Sequence, residues 1–140
     1  MTKADIRDTL RHHVRPVLLG NTAEAHRLAS RLFRRFGVIS LICGKPRLRD
    51  LFDAASQTLR LPQNACERLC VEALLELARA NDELVLLLIP CSDEAKEITR
   101  RNKIALERCY MLSDADTLFT SSVLADTEQR LRARKPHSVT

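Results

Sequence analysis

Tryptophan is absent from this 140-residue chain, and one Tyr and four Phe are its only aromatic side chains. The net charge is +5, and the basic excess is concentrated in residues 1–60. A nucleic-acid surface is expected to combine clustered Lys and Arg with a recognisable motif, and single strands also need aromatic rings for stacking. We therefore interpret the basic side chains as solvated outer faces of helices, and nucleic-acid binding is not favoured.

Long apolar runs are also missing. None approaches the roughly 20 residues that a membrane-spanning helix needs, and the first residues are not followed by the apolar stretch of a secretory signal. The five cysteines are an odd number at scattered positions, so no disulfide framework is indicated. These absences predict a cytoplasmic protein with reduced thiols and no membrane partner, folded as one domain over residues 1–140.

The segment that organises the chain is a short apolar run, 16–20, which ends in Gly20 and precedes an amphipathic run, 22–36. We interpret it as a strand, a tight turn and a helix that open a parallel βαβ unit, with Pro16 opening the strand. Residues 84–89 are the most apolar run of the chain, which is typical of a central strand buried on both faces.

This alternation predicts an α/β fold, a three-layer Rossmann-like domain with a parallel five-stranded sheet in the order 3-2-1-4-5. Strands are predicted at residues 16–20, 38–43, 57–61, 84–89 and 109–112. Helices are predicted at 2–15, at 22–36, from a capping box at Asn64 and Glu67 through Ala78, from Ser92 to about residue 107, and at 114–131, before a basic tail at 132–140.

Ligands of such sheets bind outside the carboxyl ends of the strands, where the strand order reverses. In the predicted order this crevice lies between the first and fourth strands. Its candidate residues are Gly20, Asn21, Thr22, Cys43, Cys91, Ser92 and Asp93. Cys43 and Cys91 fall at strand ends there, so a reactive thiol and an inert buried thiol are both open alternatives.

Familiar catalytic and metal-binding motifs are not found. The turn at Gly20 has one of the three glycines of a dinucleotide fingerprint, and no phosphate-binding loop with its lysine occurs. Cys66 and Cys70, four residues apart, are predicted to pack in the core instead of binding a metal. His26 is predicted to lie in solvent on the outer side of the helix at 22–36. We predict no catalytic residue and no metal site.

Four short segments carry a family resemblance through their order and spacing. They are Leu18–Gly20, Thr58–Pro62, Leu87–Ala95 and Leu112–Leu118. With these segments, the stretch from Pro16 to about Phe119 resembles the N-terminal pre-ATP-grasp domain of ATP-grasp carboxylate–amine ligases. Leu87–Ala95 is the most specific of them, because it looks like the family's strand, proline and Ser/Thr-Asp-Glu helix start. Cys91 departs from the Thr that the family usually has.

The resemblance implies no cofactor for the chain alone, since the ATP-grasp domain that supplies the family's nucleotide-binding lysines and magnesium ligands does not follow Phe119. Two interpretations result. One is a non-catalytic, stand-alone module that binds a protein or a small molecule. The other is a truncated piece or subunit of an ATP-dependent carboxylate–amine ligase, which would use ATP and Mg²⁺ only with an ATP-grasp partner chain. For the stand-alone module, a homodimer through the terminal helices at 2–15 and 114–131 is predicted, because these would cover the face left bare by the missing ligase body.

Overall fold

The computed structural model of this chain describes residues 12–45, 50, 53–61 and 66–114. Over these residues five strands and four helices follow one another along the chain. The strands are β1 (Val14–Leu19), β2 (Ser40–Gly44), β3 (Ser56–Arg60), β4 (Val85–Pro90) and β5 (Met111–Leu112). The helices are α1 (Ala23–Phe36), α2 (Glu67–Ala80), α3 (Asp93–Arg101) and α4 (Lys103–Glu107).

The five strands form one parallel sheet in the order β3-β2-β1-β4-β5, which confirms the predicted α/β topology. β1 lies at the centre, where Leu18 is aligned with Ile42 of β2 on one side and with Ile89 of β4 on the other. The strand order therefore reverses between β1 and β4, where the sequence predicts a crevice.

Helices cover both faces of the sheet, as a three-layer fold requires. On one face, Leu28 and Leu32 of α1 pack with Leu18 and Ile42. On the other face, residues of α2, α3 and α4 pack with the opposite side chains of β1 and β4, as Leu74 does in the second core cluster. β4 is buried from Val85 to Ile89, so the prediction of a doubly covered strand is confirmed.

The boundaries of α1 agree with the sequence prediction because both of its ends are capped by side-chain and backbone chemistry. Thr22 accepts a hydrogen bond from the Ala25 amide at the N-terminus. Gly37 ends the helix in the left-handed conformation with φ 72°, and its amide donates to the Phe33 carbonyl.

The start of β1 differs from the prediction. The strand begins at Val14, so Pro16 lies inside it and does not open it. Val14 and Arg15 were also predicted as the end of the N-terminal helix, and this is wrong. A proline in a central strand would remove a ladder donor. β2 pairs with β1 only from Val17 onward, so Pro16 lies where β1 is aligned with β4 alone.

Two helix boundaries also differ. α2 begins after Cys66, which makes no side-chain cap bond, so a capping box starting at Asn64 is wrong. The helix predicted from Ser92 to about residue 107 is broken at Asn102 into α3 and α4. The side chain of Asn102 donates to the Ile98 carbonyl and to Glu67, and such side-chain bonds compete with a continuous helix.

Of the predicted N-terminal helix at 2–15, His12 and His13 are described and are helical, as predicted. The preceding part of that helix, the predicted helix at 114–131 from residue 115 onward, and the basic tail at 132–140 lie outside the described residues, and residue 114 is not helical. The connection between β2 and β3 contains a turn in which the Asp53 amide donates to the Asp50 carbonyl at 3.4 Å. Within the part of the chain that is described, no helix has the length and apolar character needed to cross a membrane.

Candidate functional site

The two turns at the point of strand reversal are in direct contact. Thr22 Oγ1 donates a 3.0 Å hydrogen bond to the Cys91 carbonyl, and the Cys91 amide donates to the Leu19 carbonyl at 2.8 Å. Gly20 has φ 108°, and a Cβ built on it would lie 3.1 Å from Ser92 Oγ. The predicted crevice between β1 and β4 is therefore closed at its base by contacts between its own two walls.

Two hydroxyl groups at the carboxyl ends of β1 and β4, which we call the carboxyl edge of the sheet, serve as helix caps. Thr22 Oγ1 accepts from the Ala25 amide at 3.1 Å, and Ser92 Oγ accepts from the Ala95 amide at 3.1 Å. Both bonds satisfy amides at the positive ends of α1 and α3. The exposed Asp93 follows in the first turn of α3, where a carboxylate is favourable. Thr22 and Ser92 are thus engaged in capping, and within the described residues neither hydroxyl is hydrogen-bonded to a His, Asp or Glu side chain.

The two thiols of the predicted crevice are both buried. Burial raises the pKa of Cys43 to about 12, with a further contribution from Cys70. Burial also raises the pKa of Cys91 to about 12, assisted by the charge of Glu24. A thiol in this state is protonated at neutral pH and is a poor nucleophile. Of the two alternatives left open by the sequence, the structure supports the inert buried thiol at both positions.

The remaining cysteines correct a further prediction. Cys66 is exposed, and Cys70 is only partly buried against the core, so core packing is wrong for Cys66 and only partly right for Cys70. Burial and the nearby carboxylates of Glu94 and Glu67 raise the pKa of Cys70. Among the described residues, no three His, Cys, Asp or Glu side chains form a metal-binding group.

Asn21 connects the β1–α1 turn to the chain that follows β2. It is 6% exposed, and its side-chain amide donates to the Lys45 carbonyl at 2.7 Å and to Asp50 Oδ2 at 3.0 Å. The backbone passes close by, since a Cβ on Gly44 would lie 2.9 Å from the Asn21 nitrogen. Asn21 is therefore a predicted site residue that the structure places in a built polar cluster.

His26 lies at the centre of this cluster. Its Nδ1 is 2.5 Å from Asp53 Oδ2, and its Nε2 is 2.9 Å from Asn21 Oδ1 and 3.0 Å from Asp50 Oδ1. The side chains of His26, Asp50 and Asp53 are 14%, 8% and 15% exposed. The expectation that His26 lies in solvent is wrong, because its ring bridges α1 to the connection between β2 and β3.

The second carboxylate of the cluster has several donors. Asp53 Oδ2 accepts from the Ser56 hydroxyl at 2.8 Å, and Oδ1 accepts from the Ala55 amide at 2.9 Å. Burial alone would raise the pKa of Asp53, but the hydrogen bonds from His26, Ser56 and Ala55 outweigh it and lower the pKa. Asp53 is therefore held as a carboxylate. We call Asn21, His26, Asp50, Asp53 and Ser56 the His26 cluster.

Sequence reasoning missed four members of this cluster, and only a weak signal points to them. His26 is three residues before the buried Ala29, so it borders the apolar stripe of α1. Asp53 precedes Ser56 by three residues at the start of a strand, a spacing that suits a local side-chain bond. Neither pattern predicts that α1 and the connection between β2 and β3 are in contact.

The chain was compared with models of known protein families, with curated proteins and with solved structures, and none of these comparisons found a match. The chemistry of the carboxyl edge is thus defined by this chain's own geometry. It holds two capped helix N-termini, two protonated thiols and the His26 cluster beside them.

Proposed function

We propose that this chain is a non-catalytic, pre-ATP-grasp-like domain that acts as a protein-interaction module. The observation that carries the proposal is the direct contact between the walls of the crevice, where Thr22 is bonded to Cys91 and Gly20 approaches Ser92. A ligand pocket needs concave space with convergent polar groups. Here the polar groups of the edge are bonded to one another, which favours a partner that rests on an outer surface.

Self-association is the simplest form of such an interaction, and twofold dimers are the commonest closed assemblies. We therefore propose a homodimer through the predicted terminal helices, which are confined to the segments before Val14 and after Asp114. Size-exclusion chromatography with light scattering, at micromolar concentration, tests it. The proposal expects a particle of twice the 15.9 kDa chain mass. A strict monomer would contradict the homodimer.

A small-molecule ligand at the carboxyl edge is the alternative form of binding. A thermal-shift screen with ATP, amino acids and NADPH tests it, with Asp93→Arg at the edge and Glu76→Arg on α2 as matched charge reversals of exposed residues. The protein-interaction proposal expects no saturable shift. A saturable shift that Asp93→Arg abolishes and Glu76→Arg preserves would instead establish a small-molecule site at this edge.

A subunit of an ATP-dependent carboxylate–amine ligase is the second candidate. It is favoured by the segment Leu87–Ala95, in which β4 ends at Pro90 and Ser92 caps α3, as the resemblance implies. ATP and Mg²⁺ would then be bound by a separate ATP-grasp chain. The test mixes this chain with an ATP-grasp protein encoded beside it and measures ADP release with amine and carboxylate substrates. Turnover that requires both chains would support the ligase role.

A further inference from the structure

The ring of His26 is surrounded by hydrogen-bond acceptors. Nδ1 faces a carboxylate oxygen of Asp53, and Nε2 faces the side-chain oxygen of Asn21 and a carboxylate oxygen of Asp50. An imidazole nitrogen that faces acceptors must carry a proton to form a hydrogen bond, and both nitrogens carry one only in the imidazolium form. The geometry therefore fits a positively charged ring between two carboxylates.

The orientation of the Asn21 side chain depends on that charge. Its oxygen can face Nε2 only while Nε2 has a proton, and this orientation directs its NH₂ group at the Lys45 carbonyl and at Asp50 Oδ2. Asn21 therefore links the ring to two groups that follow β2.

We propose that His26 is a protonation-dependent clamp, in which the proton on Nε2 sets the orientation of Asn21 and so fastens Lys45 and Asp50 to the β1–α1 turn. When the ring is neutral, one nitrogen has a lone pair and no proton. Nδ1 keeps its proton, because its contact with Asp53 is the shortest of the cluster at 2.5 Å. The proton lost from Nε2 passes to solvent, to which the side chain is 14% exposed.

The neutral ring reverses the preference at Nε2. A lone pair there repels Asn21 Oδ1 and Asp50 Oδ1, so the Asn21 amide turns to present its NH₂ group to the ring. In that orientation its oxygen faces away from the ring, and the bonds of 2.7 Å to the Lys45 carbonyl and 3.0 Å to Asp50 are lost. Asp53 stays in place, because the Ser56 hydroxyl and the Ala55 amide still donate to it.

Within the described part of the chain, Asp50 and Asp53 are the charged side chains that form a hydrogen bond or an ion pair with the ring of His26. The β1–α1 turn contributes Asn21, the β2–β3 connection contributes Asp50 and Asp53, and β3 contributes Ser56 through Asp53. The clamp acts at the carboxyl edge, one residue from Gly20 and next to Gly44. It does not depend on whether this edge binds a partner.

NMR of the intact chain tests the clamp. Ring ¹⁵N shifts of His26 and the side-chain amide signals of Asn21 are followed from about pH 5 to about pH 8, the range in which histidines usually titrate. The proposal expects Nε2 to lose its proton while Nδ1 retains it, with the Asn21 signals moving at the same midpoint. Exchange of the Asn21 side-chain amide with solvent is base-catalysed and therefore accelerates with pH in any variant. The proposal expects it to rise about tenfold more across this range in the wild type than in His26→Gln, because only the wild type loses the bonds to Lys45 and Asp50.

Two variants separate the clamp from general effects of pH. His26→Gln should abolish the pH dependence of the Asn21 signals, whereas His13→Gln, at an exposed position, should preserve it. If His26→Gln does not fold, the wild-type titration decides alone. A ring that does not titrate over this range, loss of the proton from Nδ1 instead, or Asn21 signals that ignore the ring would each overturn the proposal.

Discussion

Ser40 and Ser56 lie opposite each other in the parallel register of β2 and β3, and both are buried, but their hydroxyl groups differ in bonding. Ser56 donates to the Asp53 carboxylate at 2.8 Å. Ser40 Oγ has no hydrogen-bond partner among the described residues. An unsatisfied buried hydroxyl costs free energy, whereas one bonded to a carboxylate contributes to stability.

Ser40→Ala should therefore leave the free energy of unfolding unchanged or raise it by up to about 1 kcal/mol, because it removes an unsatisfied group. Ser56→Ala should lower it by about 1.5 kcal/mol or more, because Asp53 loses a donor. The two substitutions delete the same atom at facing positions, so each controls for the other. Urea unfolding with a common m-value measures both. Equal losses in the two variants would contradict the bonding described here.

Asp53→Ala should lower the free energy of unfolding by about 2 kcal/mol near neutral pH, since three donors lose their acceptor. The pKa of Asp53 is lowered in the folded state, so its contribution is present above the usual pKa of an aspartate and is lost as pH falls. The difference in the free energy of unfolding between wild type and variant, measured by urea unfolding at each pH, should therefore shrink as pH is lowered below about 5. Glu83→Gln, at an exposed position outside the helices, should retain the acid dependence of the wild type. A difference that does not change with pH would refute the role of Asp53.

Maleimide should label Cys66 first in the folded chain and leave Cys43 and Cys91 unmodified. Cys66 is exposed, whereas burial raises the pKa of the other two thiols to about 12. Mass spectrometry of the labelled protein counts the modified sites, and urea should make all five cysteines reactive. Cys66→Ser should remove the fast phase of labelling. Labelling of Cys91 at the rate of Cys66 would show that the crevice is open.

Gly20→Ala should lower the free energy of unfolding by about 1–2 kcal/mol, because a side chain at φ 108° is strained. The new Cβ would also press on Ser92 Oγ. Ser92→Gly removes that neighbour and keeps an acceptable residue at the cap position. The loss caused by Gly20→Ala should therefore be smaller in a Ser92→Gly background, as a double-mutant cycle measures. Strictly additive losses would mean that Gly20 and Ser92 are not in contact.

The strand order and most of α1 could be predicted because they depend on local signals. Thr22 and Gly37 mark the ends of α1 chemically, and the apolar run in β4 can only be a covered strand. The start of β1 could not be predicted from Pro16, because whether a proline is tolerated depends on which neighbour is paired at that level of the sheet.

The His26 cluster could not be predicted for a different reason. Asp50 and Asp53 belong to a connection without periodicity, and His26 meets them only because α1 folds over β2 and β3. The predicted topology places Thr22 and Cys91 beside each other at the carboxyl ends of β1 and β4, but it does not predict the hydrogen bond between them. That Thr22 and Cys91 are joined across the gap follows from the packing of two turns, which no local pattern encodes.

The central position of β1 also determines when this sheet can be completed during synthesis. β1, α1, β2 and β3 come early in the chain, yet the other edge of β1 stays open until β4 is made, because Val14 to Leu19 align with Val85 to Pro90. Such long-range parallel pairing is slow to form. A nascent chain that stops short of Pro90 would present β1 as an apolar strand with one unpaired edge. We therefore expect ribosome-bound chains of that length to recruit chaperones, and chains extended beyond β5 to be released from them.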